Sequence, residues 1–180
     1  RYRVPNVNQC KECHAAEDKI TPIGPKARNL NKKFEFNEGE FNQLTYWMNR
    51  QIIDDYPMEL VSPVDWTDES QNINDRVRSY LDVNCGHCHS PTGNANSTGL
   101  YLHLDETRDI HLGLYKKPVA TGRGSGGLKY SIAPGKPDES ILLHRMISLD
   151  PGVMMPESGR ALSHTEAVDM VREWILVMED

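Results

Sequence analysis

Apolar residues recur in four stretches of this chain at the three-to-four spacing that gathers side chains on one face of a helix. Phe41, Leu44, Trp47, Met48, Gln51 and Ile52 predict a helix over about 41–54. Ile73, Val77, Tyr80 and Leu81 form a single stripe and predict a second over about 71–84. Pro137-Asp138-Glu139-Ser140 opens a third, with Leu142, Leu143, Met146 and Leu149 as its buried side. Ser163-His164-Thr165-Glu166 has the form of a capping box. The helix it opens carries a wide apolar face of Ala167, Val168, Val171, Trp174, Ile175 and Met178.

The stretches between these helices are polar or broken. Phe34 to Glu40 reads as turn-like, and Ser90 to Thr98 as loop. Gly99 to Leu104 alternates and predicts a short strand. Pro57 and Pro63 mark a linker over 57–70, which divides the chain into an N-terminal lobe, 1–56, and a C-terminal lobe, 71–180. Residues 122–127 fit G-x-G-x-x-G, a pattern that binds dinucleotides only between a strand and a helix. Here the stretch from Leu128 to Pro134 is too short to form that helix, so the glycines read as a loop.

Composition changes this picture in one respect. At 180 residues and 38% hydrophobic content, each lobe is small for a self-sufficient core, and a bound group commonly serves as a staple in such cases. The net charge of −6 argues against nucleic acid as a partner. No apolar run approaches the ~20 residues of a membrane span, and the start at Arg1 reads as a mature or trimmed chain. Asn96-Ser97-Thr98 is formally a glycosylation sequon.

The candidate staple lies in the cysteines. All four fall in two C-x-x-C-H motifs, Cys10-Lys11-Glu12-Cys13-His14 and Cys85-Gly86-His87-Cys88-His89. In a helical turn, residues three and four apart share a face. Two thiols can then meet the two vinyl groups along one porphyrin edge while the following His reaches the iron, which is the attachment pattern for c-type haem. Disulfides would leave both histidines unexplained. A four-thiolate zinc site normally spans a gap of ~15–20 residues, whereas 71 residues separate Cys13 from Cys85. The expectation is two covalently bound haem c groups, held by Cys10, Cys13 and His14 and by Cys85, Cys88 and His89. Such attachment takes place outside the cytoplasm in bacteria, which implies a periplasmic or extracellular protein.

The C-terminal lobe resembles bacterial cytochrome c domains of the planctomycete type. The resemblance is carried by Cys85–His89, Gly99-Leu100, Pro134-Gly135-Lys136-Pro137-Asp138-Glu139-Ser140, Met155-Pro156, Leu162-Ser163 and Trp174-Ile175. The whole chain is similar to an uncharacterised family of bacterial dihaem cytochromes, through Pro22-Ile23-Gly24-Pro25, Gly122–Gly127 and Met154-Met155-Pro156-Glu157. The resemblance implies a mainly α fold of two class I-like cytochrome c lobes, each wrapped round one haem, the second with a loop-rich insert and a short β-strand segment. It further implies that a carbonyl from Gly24-Pro25 orients His14 and that Met155, the Met before Pro156, is the sixth ligand of haem two; Met154 is the alternative.

Haem one lacks such a ligand: Met48 is a weak candidate, and His103, His111, His144 or His164 would have to arrive from the other lobe or from another subunit. A third possibility leaves its iron open.

Three functions follow. The leading one is electron transfer between redox partner proteins, with lysines after each motif (Lys19, Lys26, Lys32, Lys33; Lys116, Lys117, Lys129, Lys136) suited to orient an encounter. Ordinary solvated faces account for those lysines equally well. The second is a dihaem peroxidase-like enzyme at an open haem one, with Glu12, Glu17 or Asp18 as a nearby base. The third is an electron-accepting module of a dehydrogenase or multi-haem assembly, in a homo- or hetero-oligomer, with Tyr2, Tyr56, Trp66 and Tyr115 as interface anchors.

Overall fold

The computed structural model describes residues 4–16, 19–119 and 121–179. The chain enters helix α1, Val7–His14, through a reciprocal cap. Asn6 Oδ1 accepts from the Asn8 and Gln9 amides, and the Gln9 side chain accepts from the Asn6 amide at 3.0 Å. First-turn donors are thereby satisfied, yet α1 buries none of its residues. Two antiparallel hairpins follow: β1 Ala15–Ala16 with β2 Lys19–Ile20, then β3 Lys33–Phe36 with β4 Gly39–Asn42. Helix α2, Ala27–Leu30, lies between the hairpins.

The second hairpin occupies the stretch that polarity marked as turn-like. Its alternating phenylalanines are the missed signal: Phe36 stacks on Tyr46 with ring centroids 3.8 Å apart. Helix α3, Gln43–Asn49, is shorter than the spacing predicts. Phe41 belongs to β4, Asn42 Oδ1 caps the helix on Leu44 and Thr45, and Gln51 turns left-handed at φ 56. Helix α3 packs on α2 and β4, while α1 packs on β2.

The larger core is built from α4 Ile73–Asn84, α6 Ile141–Ile147 and α7 Thr165–Leu176, with the short α5 Asp109–Leu112 outside it. Helix α7 packs on both α4 and α6, around fully buried Val77, Leu81, Ile132, Leu143, Val171 and Ile175. Three local expectations are corrected here. Residues 99–104 form no strand: the Tyr101 amide donates to the His111 carbonyl and the Leu102 amide to the His89 carbonyl, so the segment is tied to two different places. The capping box is not formed, because Ser163 Oγ donates instead to the Met146 carbonyl at 3.2 Å and His164 stands at the cap without a side-chain bond to the helix amides. Helix α6 ends at Ile147, leaving Leu149 55% exposed.

The glycine-rich stretch forms a short 3-10 turn, Gly122–Ser125, against α6. Gly122, Gly126 and Gly127 take left-handed φ values of 51, 59 and 78, and no helix follows. The architecture is thus helix-rich with two small two-stranded sheets, and among the described residues no helix is long and apolar enough to cross a membrane.

Residues 57–70 are bound along the larger core. Trp66 packs against the apolar cluster with its ring edge-on to Tyr80, and the Val64 amide donates to Ser79 Oγ. Tyr56 is half-buried, its hydroxyl 2.9 Å from Thr45 Oγ1, so neither Trp66 nor Tyr56 is a free interface anchor. Tyr115 is 46% exposed with its ring edge-on to Tyr130. Tyr2, Glu17 and Asp18 lie outside the described residues.

Candidate functional site

Helix α4 delivers the second motif. Cys85 is its last capping residue, and the His89 amide donates to the Cys85 carbonyl at 2.9 Å, which closes the Cys-x-x-Cys-His turn on the helix end. Gly86 is required for this closure: a Cβ there would stand 2.8 Å from the Asp82 carbonyl and 3.1 Å from His103 Cα, too close for any larger residue.

The turn forms one wall of a cavity of about 560 Å3. Cys85, Cys88 and His89 line it together with Met155, Leu100, Leu102, Ile141 and Met146. Burial pushes the Cys85 thiol up to about 12. The Cys88 thiol rises to about 12 by burial and by the neighbouring Cys13. Burial likewise lowers His89 to about 4, so its ring is a neutral imidazole at neutral pH. His89 Nδ1 lies 3.3 Å from the Leu100 carbonyl, which can only accept. Nδ1 therefore carries the proton, and Nε2 keeps the lone pair that a metal needs.

The same arrangement recurs at the first motif. His14 Nδ1 lies 3.0 Å from the Thr21 carbonyl, which fixes Nε2 as its free nitrogen too. The carbonyl expected in this role was from Gly24-Pro25. Instead the Gly24 carbonyl accepts from the Lys26 amide and from Asn29 Nδ2, and Pro25 is exposed. Thr21 precedes that turn and reaches His14 because β1 and β2 fold the chain straight back.

The cavity sorts the predicted residues. Cys85, Cys88, His89 and Met155 line it, and Cys13 joins them from α1. Cys10, His14, Pro25 and Met48 do not; Cys10 is exposed. Met154 is buried against a smaller depression beside Gln9, so of the two adjacent methionines Met155 is the one that faces the large cavity.

The two motifs meet at this wall. Cys13, His87 and Cys88 present ligand atoms within 4.8 Å of one another, and Asn94 Nδ2 donates to the Glu12 carbonyl at 2.9 Å. No cysteine forms a disulfide. The four-cysteine zinc site is not assembled, since neither Cys10 nor Cys85 belongs to the cluster. Beside this junction Asp82, fully buried, accepts from Arg28 at 2.7 Å and from the Leu104 amide at 3.0 Å, with Lys26 Nζ 3.6 Å away. Arg28 also holds Asp105 at 2.6 Å. His87 is the site residue that motif spacing does not single out, since it occupies a variable position of C-x-x-C-H.

Compared with known proteins, the chain matches no family model, no curated protein and no solved structure. The site must be read from its chemistry. Its volume lies within the ~300–1,000 Å3 of ligand sites, its lining is largely apolar, and among the groups on it are the Cys85 and Cys88 thiols, with Cys13 as a third, the His89 imidazole with free Nε2 and the Met155 thioether. That donor set fits a covalently attached haem. The first motif offers the same thiol and imidazole donors, of which Cys13 lines this cavity and Cys10 and His14 do not.

Proposed function

We propose that the chain is a dihaem c-type cytochrome that transfers electrons between redox partner proteins outside the cytoplasm. The observation that supports this most directly is the meeting of Cys85, Cys88, His89 and Met155 on one apolar cavity. Bound haem would supply a one-electron iron couple. The chain's own residues do the rest. Cys85 and Cys88 anchor the porphyrin edge, Leu100 orients the His89 ring, and Met155 offers a soft thioether that favours ferrous iron and raises the potential. The apolar wall limits contact with water, which raises it further.

In this reading residues 1–56 and 71–180 each carry one haem, Cys10, Cys13 and His14 holding the first. The meeting of Cys13 with Cys88 brings the two attachment edges side by side, a short path for electrons between them.

Intact mass and the visible spectrum test the reading. The expected result is polypeptide plus two haems, both reversibly reducible, with a Met-ligated signature that Met155→Ala abolishes. Colourless protein at the bare polypeptide mass overturns it. A second reading is favoured by the Cys13–His87–Cys88 cluster, which has the donors of a zinc or copper site. It leaves Cys10, His14, Cys85 and His89 without a role, and the same mass measurement separates the two.

A further inference from the structure

Haem one lacks an obvious sixth ligand, and the structure narrows the search. Helix α3, which carries Met48, packs on α2 and β4 rather than on α1. The distant histidines stand in other parts of the fold, and His164 lines the large cavity. His111 Nδ1 meets the Gly99 carbonyl at 2.9 Å and its ring stacks on Tyr101. His164 Nδ1 meets the Tyr80 hydroxyl at 2.9 Å. His144 sits under the glycine-rich turn, its Nε2 2.6 Å from where a Cβ on Gly126 would be. His103 Nε2 is buried without a hydrogen-bond partner and lies 3.9 Å from Glu106. Among the described residues none of these belongs to the group around Cys13.

His87 does belong to it. Its ring nitrogen lies within 4.8 Å of Cys13 Sγ, the sulfur that would carry the edge of haem one. Its Nδ1 is buried with no hydrogen-bond partner, a state that costs free energy unless a ligand or ion compensates it. In a helical turn Cys85, Cys88 and His89 share a face, and the residue two past Cys85 does not. His87 is also separated from His89 by one residue, so it cannot pass round a porphyrin to reach the far side of haem two. The haem within its reach is the one on α1.

We infer that His87, from the second motif, is the sixth iron ligand of the haem attached to the first. The inference rests on the dihaem reading above. Haem one is then bis-histidine, with His14 from its own motif and His87 from across the junction, and haem two is His/Met. The two motifs thereby interlock: the N-terminal haem is completed only when the C-terminal region is folded against it. A bis-histidine haem one has a lower potential than its His/Met neighbour, so electrons run from haem one to haem two.

Electron paramagnetic resonance and near-infrared magnetic circular dichroism of the ferric holoprotein test this. Two six-coordinate low-spin haems are expected, one bis-histidine and one His/Met. In His87→Ala the bis-histidine half of the signal is lost to a high-spin form while the His/Met half stays. His87→Met keeps a ligand in place, and converts the bis-histidine signal to a second His/Met one. His111→Ala changes neither. A wild-type haem one that is already high-spin overturns the inference, as does a bis-histidine signal that survives both His87 variants. Intact mass is read on every sample: two haems with the wrong spectrum sink the ligand assignment alone, whereas no haem sinks the dihaem reading itself.

Discussion

Residues 1–56 and 71–180 each present one C-x-x-C-H motif, and they build round it in opposite ways. Before the linker Leu44 is the sole buried hydrophobic side chain among the described residues, and α1 buries nothing. After it, α4, α6 and α7 share a continuous apolar core, and the second motif forms a wall of a 560 Å3 cavity. A motif dictates which atoms are offered, while the surrounding core dictates whether a site exists. The first region borrows what it lacks, through Arg28 on Asp82, Asn94 on Glu12 and the meeting of Cys13 with His87 and Cys88.

The largest expected effect tests that asymmetry directly. At about 24 cal/mol per Å3, a dry void of 560 Å3 would cost roughly 13 kcal/mol. Because this cavity opens to solvent the figure is an upper bound, yet it rivals the ~5–15 kcal/mol stability of a whole domain. Protein carrying Cys85→Ala and Cys88→Ala should lose its near-ultraviolet circular dichroism and cooperative melting. Cys10→Ala with Cys13→Ala should melt cooperatively, at a temperature lower by several degrees. Equal damage from the two pairs would break the comparison.

A smaller effect is expected at the joint. Asp82 is fully buried and Arg28 reaches it from the N-terminal region. Removing one partner of a buried ion pair typically costs ~3–5 kcal/mol when the other charge is left uncompensated; Asp82 keeps Lys26 and the Leu104 amide, so a loss nearer ~1.5–3 kcal/mol, that of one charged hydrogen bond, is expected. Arg28→Ala should lower the urea midpoint accordingly and increase amide exchange in residues 19–50, with less change in α7. Exchange that rises uniformly would mean that the two regions fold as one unit.

These contrasts bear on how far the sequence is legible. The helices at 73–84 and 165–176 follow from apolar periodicity, because each packs one stripe on a deep core. The motif residues follow from the C-x-x-C-H pattern, and spacing alone puts Cys85, Cys88 and His89 on one turn. What spacing does not carry is long-range. The Thr21 carbonyl reaches His14 through a hairpin, and the Leu100 carbonyl reaches His89 through a segment with no regular structure. His87 meets Cys13 across 74 positions of sequence, and no local pattern encodes that contact. The missed hairpin at 33–42 and the unformed capping box have the same origin: Phe36 finds Tyr46, and Ser163 finds the Met146 carbonyl, so tertiary partners override local preference.

The smallest effect concerns acid. Glu106 is buried in the C-terminal region, where its carboxylate accepts from Arg108 Nε at 2.8 Å and Nη2 at 2.7 Å, and also from the Thr107 and Arg108 amides. Bonding to Arg108 holds the carboxyl down at about 2, from the ordinary 4.5. A carboxyl with a depressed folded-state value stabilises fully above its unfolded value and loses that contribution as pH falls through the folded one. The window is therefore pH 4.5 down to about 2. Glu38, in the N-terminal region, is also lowered, through Tyr46, but it is exposed to solvent and screened. Melting followed against pH for wild type and Glu106→Gln should show a gap on the order of 1 kcal/mol above pH 4.5, closing towards pH 2. Glu38→Gln should show little gap at any pH. If the Glu38 variant carried the larger acid-dependent gap, the contrast between a thin N-terminal region and a cored C-terminal one would fail at the level of single carboxylates.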